Sequence, residues 1–168
     1  MPTPVSTLTE FVRSRVESLG LSPHPEGGFY REVYRSYAVL PLPRGKRTLL
    51  TVIHFVLPPG GFSAWHVVRS DEVWTWAAGD VVWLHRLDDT GKHSVVELGG
   101  DFTRGETVVA VVPAGLWQAA ECLSATGAHV TCAVAPGFDF ADFRMGGRDE
   151  LAARFPQHRA LVERLTRG

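Results

Sequence analysis

Between residues 29 and 134 the chain consists of short runs rich in β-branched and aromatic residues, each cut off by a turn. The runs 29–36, 48–57, 72–76, 81–87, 94–98, 107–112 and 129–134 read as strands. Turn residues at 58–61, 78–80, 88–91, 99–101 and 113–115 separate them. Many short strands at this spacing predict an all-β sandwich or barrel. The flanks differ. Thr7-x-x-Glu10 reads as a capping box opening a short helix, with Phe11, Val12, Val16 and Leu19 apolar and Gly20 closing it. Residues 149–154 and 157–166 read as helices separated at Pro156.

Composition narrows the function classes. A chain of 168 residues fits one domain, here 1–168 with the barrel core at about 21–145. A net charge of −1 leaves no basic footprint for nucleic acid. No apolar run reaches the roughly 18 residues that cross a membrane, and the first ten residues lack a secretory pattern. Cys122 and Cys132 are too few for a disulfide framework. A cytoplasmic location follows as the expectation.

Two motifs carry the chemistry. Gly60, His66, Glu72 and Gly79 stand at intervals of six, six and seven. This resembles the first signature of the cupin barrels, with Val68 where the second histidine belongs. Pro113-Ala114-Gly115-Leu116-Trp117-Gln118 resembles the second signature, with Gln118 in place of its histidine. Four longer motifs extend the likeness: PHPEGGFYRE from Pro23, SAWHVVRSDEVW from Ser63, VPAGLWQAA from Val112 and APGFDFADF from Ala135. Together they resemble the small cupin family of unknown function within the RmlC-like cupins. The resemblance spans roughly 21–165. It implies a double-stranded β-helix, the jelly-roll barrel, and a homodimer. It also implies a pocket lined by His66, Glu72 and Gln118, but fold-level likeness does not assign a reaction. Relatives often carry a histidine where this chain has Thr75 and an aromatic hydroxyl residue where it has His54.

In the barrel reading His66, Val68 and Glu72 point into one pocket. His66 and Glu72 form a candidate acid–base couple if they meet. A divalent transition metal would draw on His66, Glu72 and the amide oxygen of Gln118, two good ligands and one poor one. The metal-free pocket, in which these groups hydrogen-bond one another, is preferred. Trp74 and Trp76 share the parity of Glu72 and are candidates for stacking a ligand; core packing is the competing reading. Tyr30 and Arg31 follow a loop of two prolines and two glycines and are candidates for an anionic or hydroxylated ligand. His54 is a further ligand-binding candidate on its strand, with a satisfied structural histidine as the alternative.

Three functions remain open. The preferred one is a metal-independent enzyme, of epimerase or isomerase type, on a small carbohydrate-like ligand. There His66 and Glu72 move protons, while Tyr30, Arg31 and Gln118 orient the ligand. The alternatives are a metal-dependent oxygenase or isomerase, and a small-molecule binding protein without turnover.

Overall fold

The computed structural model describes residues 8–167. Helix α1, Glu10–Leu19, is followed by thirteen strands: β1 Ser22–Pro23, β2 Phe29–Arg35, β3 Val39–Leu42, β4 Gly45–Thr48, β5 Thr51–Leu57, β6 Phe62–Val68, β7 Asp71–Gly79, β8 Val82–Leu87, β9 His93–Leu98, β10 Val109–Val112, β11 Trp117–Glu121, β12 Ala128–Ala135 and β13 Phe143–Met145. Helices α2, Arg148–Arg154, and α3, Arg159–Arg164, end the described chain.

The strands form a six-stranded sheet in the order β1-β2-β5-β12-β7-β10 and a five-stranded sheet in the order β13-β6-β11-β8-β9; β3 and β4 make a separate hairpin. All named strand pairs are antiparallel. The architecture is the expected cupin-type jelly roll. Phe55, Trp74, Val82, Leu84, Val112, Ala120 and Val130 belong to the apolar cluster between the two sheets. A second cluster lies outside the five-stranded sheet, where Trp65, Leu87 and Trp117 pack on Leu151, Phe155 and Val162 of the C-terminal helices. A third seats α1, through Val12 and Val16, on Phe29 and Val56.

The capping residue of α1 is Thr9, whose hydroxyl accepts from the Val12 N–H at 3.4 Å. Thr7 lies outside the described residues. Gly20 closes the helix in the left-handed conformation, at φ 61°.

Six strands escape the sequence pattern, the first being β1, two residues long in a stretch rich in breakers. β6 and β11 are buried on both faces, β6 and β11 lying under the C-terminal helices, so neither shows the apolar–polar alternation of a half-exposed strand. β3 and β4 form a hairpin, largely exposed but with Arg47 and Thr48 buried, around Pro41 and Pro43, which read as breakers. β13 has only three residues. The single run read at 48–57 is two strands: Thr48 ends β4 and Thr51 opens β5.

Candidate functional site

A cavity of about 680 Å³ lies between the sheets at one end of the barrel. The pleat decides what enters it. Alternate residues of a strand face one side, so β6 presents His66 and Val68, β7 presents Glu72, β12 presents Cys132 and Val134, and β5 presents Thr51 and Ile53. Tyr30, Phe138, Phe140 and Phe143 supply aromatic walls, and Arg31, Glu32, Arg35 and Asp139 add charge.

His66 and Glu72 are 2% and 6% exposed, so each needs partners. Glu72 Oε2 accepts from Gln118 Nε2 at 2.6 Å. Gln118 Oε1 in turn accepts from the Trp74 indole N–H at 3.0 Å. An indole nitrogen only donates, so this bond fixes the amide: its oxygen faces Trp74 and its NH₂ faces Glu72. His66 Nδ1 lies 2.8 Å from the Ala64 carbonyl oxygen. A carbonyl only accepts, so Nδ1 carries a proton and Nε2 of the neutral ring presents a lone pair.

That lone pair meets a residue the strand reasoning overlooked. Glu26, in the loop between β1 and β2, is 6% exposed and lines the cavity. Its Oε1 accepts from the Ser63 hydroxyl at 2.9 Å. Its Oε2 lies 3.4 Å from His66 Nε2 and 3.5 Å from His24 Nδ1. The loop is pinned to β6: the Ala64 N–H and Arg167 Nε both donate to the Glu26 carbonyl, at 2.8 and 3.0 Å. Gly27 and Gly28, at φ 116° and 69°, permit this seat. A Cβ on Gly27 would stand 2.2 Å from the Phe62 carbonyl oxygen, and one on Gly28 2.8 Å from that of Val56. The buried glutamate between a histidine and two glycines was the available signal, but its 40-residue separation from His66 hid the contact.

Burial sets the electrostatics. Desolvation pushes the Glu26 carboxyl up to about 8, against the opposing pull of Ser63 and Arg167. Glu72 rises to about 7, again through desolvation, with Glu26 adding to the rise and His66 and Gln118 opposing it. Desolvation lowers His66 and takes His24 down to about 3. The Cys132 thiol, also on the cavity, is held well above its usual range by burial. Near neutrality the inner wall is therefore polar, with Glu26 and the two histidines mostly neutral and Glu72 divided between its acid and carboxylate forms.

The other sequence candidates separate. Tyr30 and Arg31 line the cavity, with Arg31 Nη1 donating to the Leu19 carbonyl at 2.9 Å. Gln118 stands behind Glu72 and does not line it. Trp74 is 1% exposed in the barrel core beneath Gln118. Trp76 is further along, donating to the Asp80 carbonyl at 3.1 Å. Neither indole lines the cavity. His54 lies outside the cavity, between the cavity-lining Thr51 and Ile53 and the core residue Phe55, and pairs with His129 at 3.0 Å. The alternation of Ile53 and Phe55 around it explains the outward face.

The residues do not fit a resident transition metal. The Gln118 oxygen is committed to Trp74, Val68 offers no donor, and Glu26 stands in front of His66 Nε2. Among the described residues no group of three or more His, Cys, Asp and Glu side chains is arranged to hold a metal ion. Also among the described residues, no helix is long and apolar enough to cross a membrane.

Comparison with known proteins identifies the family and the fold. Residues 13–146 match the family described as Cupin superfamily (DUF985). A hypothetical protein from Leishmania major is 31% identical, with a TM-score of 0.86 over 92% of this chain and 97% of that one. A protein from Shewanella oneidensis is 34% identical, with a TM-score of 0.85 over 90% and 94% of the two chains. Oxalate decarboxylase from Bacillus subtilis shares the fold alone, at 17% identity and a TM-score of 0.56 over 85% of this chain and 36% of that one. No curated protein gives a match.

Proposed function

Because the chain belongs to the family described as Cupin superfamily (DUF985), whose fold leaves the chemistry open, we propose from its site that it is a metal-independent enzyme moving protons on a small, carbohydrate-type ligand. The observation that carries this reading is the inner wall of the cavity. There Glu72 and His66 come from different strands, both are buried, and both are held from behind by hydrogen bonds that fix their orientation. Fixed groups of this kind are what general acid–base catalysis requires. A carboxyl at about 7 can take and return protons near neutral pH. The volume of about 680 Å³ accommodates a small-molecule ligand. Tyr30 supplies a hydroxyl and Arg31 a guanidinium to orient hydroxyl groups or an anionic substituent, and Phe138, Phe140 and Phe143 offer the apolar faces assigned earlier to Trp74 and Trp76.

The test begins with sugars and small hydroxy acids screened for saturable binding and then for exchange of carbon-bound hydrogen with deuterated water. His66→Ala and Glu72→Gln should each lower turnover by about 10²–10⁴-fold. Full turnover in both variants overturns the proposal, and a ligand that binds without exchange or conversion identifies a binding protein instead.

A further inference from the structure

Glu26 presents a proton-placement problem that the geometry resolves. His66 Nδ1 is protonated, because it faces the Ala64 carbonyl at 2.8 Å. His24 Nδ1 accepts from the Glu26 backbone N–H at 3.3 Å, so it is unprotonated. Two unprotonated imidazole nitrogens, His66 Nε2 and His24 Nδ1, therefore lie beside one atom, Glu26 Oε2, at 3.4 and 3.5 Å. An ionised carboxylate there would set negative oxygen against both. The other oxygen is already satisfied by Ser63 at 2.9 Å. A proton on Oε2 removes the conflict and leaves His66 Nε2 facing a donor.

We infer that Glu26 is a carboxylic acid in the resting protein and is the proton donor of the cavity: its Oε2 proton, beside His66 Nε2 at rest, is the one given to an acceptor oxygen of the ligand. This deepens the proposed acid–base activity and rests on it for the catalytic role. The charged groups around Glu26 agree. Glu72, on the facing strand, disfavours a second negative charge. Arg167 offsets this only in part: its guanidinium donates to the Glu26 and Phe62 carbonyls. Burial of both groups favours the neutral pair over an imidazolium–carboxylate pair.

The division of labour defines a substrate class. Glu72, as carboxylate, accepts a proton from the carbon next to a carbonyl. Glu26 gives its Oε2 proton to the carbonyl oxygen. The C–H bond breaks, an O–H bond forms, and an enol results; Glu72 is left as the acid and Glu26 as the carboxylate. Return of a proton to carbon and removal of the enol proton restores both groups without any redox change. The class is a carbonyl compound with a removable α-hydrogen.

The proton can be located without any substrate, so the assignment and the proposed activity fail separately. Infrared spectra of intact wild-type protein minus Glu26→Gln, at neutral pH, should show a protonated-carboxyl C=O band that moves in deuterated water. In wild type minus Glu72→Gln the Glu26 component should cancel, because Glu26 stays protonated in both proteins. A difference containing only carboxylate bands for Glu26 overturns the inference. Nitrogen-15 NMR of wild-type His66 gives an independent answer should Glu26→Gln fail to fold. A neutral ring protonated at Nδ1 supports the assignment, and an imidazolium overturns it.

Discussion

The Trp74 indole N–H, 3.0 Å from Gln118 Oε1, decides which end of the amide meets Glu72. Trp74 therefore acts on the cavity from the core, through Gln118, without lining it. Trp74→Phe keeps much of the ring but removes the donor. The amide oxygen is then left unpaired in a buried place, at an expected cost of about 1–3 kcal/mol. Urea unfolding measures this directly. A midpoint equal to that of wild type would show that the bond does not hold the amide.

How far the sequence carried this picture differs between fold and site. Strand runs and turns implied the barrel, and the motif from Gly60 to Gly79 pointed to His66 and Glu72 as cavity residues. Depth was the part alternation does not encode. Glu72, Trp74 and Trp76 share a face, but Glu72 and Trp76 are four residues, or about 13 Å, apart along the strand, so one lines the cavity and the other does not. β6 and β11 hid for the opposite reason: covered on both faces, they carry no alternation at all. Glu26 was illegible because its place depends on a contact between a loop and β6 that only the closed barrel creates.

The loop holding Glu26 makes a second prediction. Gly28 and Gly60 have nearly equal φ values, 69° and 67°, but different surroundings. A Cβ at Gly60 meets nothing within 4 Å, whereas one at Gly28 meets the Val56 carbonyl oxygen at 2.8 Å and Phe55 at 3.0 Å. Gly60→Ala should cost only the left-handed strain, about 1–2 kcal/mol. Gly28→Ala should cost a further 1–3 kcal/mol or so from the clash with backbone. Equal losses in thermal or urea unfolding would mean that the loop moves freely away from β5.

Asp142 ties the exposed β3–β4 hairpin to the segment that walls the cavity. It is 3% exposed and accepts from Arg47 at 2.8 and 2.9 Å and from Arg44 at 3.0 Å. Arg47, chiefly through these hydrogen bonds, holds its carboxyl below the usual range. Asp142→Ala leaves Arg47 and Arg44 without their shared anion and should lower the urea midpoint. Hydrogen exchange should accelerate across 39–48 and at the phenylalanines of 138–143. Unchanged protection in the hairpin would show that β3 and β4 are held by something other than Asp142.

The raised carboxyls and lowered histidines give stability a pH dependence of predictable sign. His24 and His129 have folded values of about 3 and about 4, below the ordinary 6.5, so the unfolded chain binds more protons as pH falls. Their contribution is complete above 6.5 and is lost as pH falls through that window. Glu26 and Glu72 run the other way: their folded values of about 8 and about 7 exceed the ordinary 4.5, so the folded protein holds the extra protons. Their contribution is complete below 4.5 and is lost as pH rises to the folded values. Between 4.5 and 6.5 the two sets oppose each other, and above 6.5 the carboxyls act with no histidine to offset them. Stability should therefore fall between about pH 6.5 and 8, by at most about 1.4 kcal/mol per pH unit for each proton lost. In Glu26→Gln with Glu72→Gln this slope should vanish, because amides do not titrate. Urea midpoints across the range test it: a double variant whose profile runs parallel to wild type would mean that neither carboxyl holds an extra proton in the folded protein.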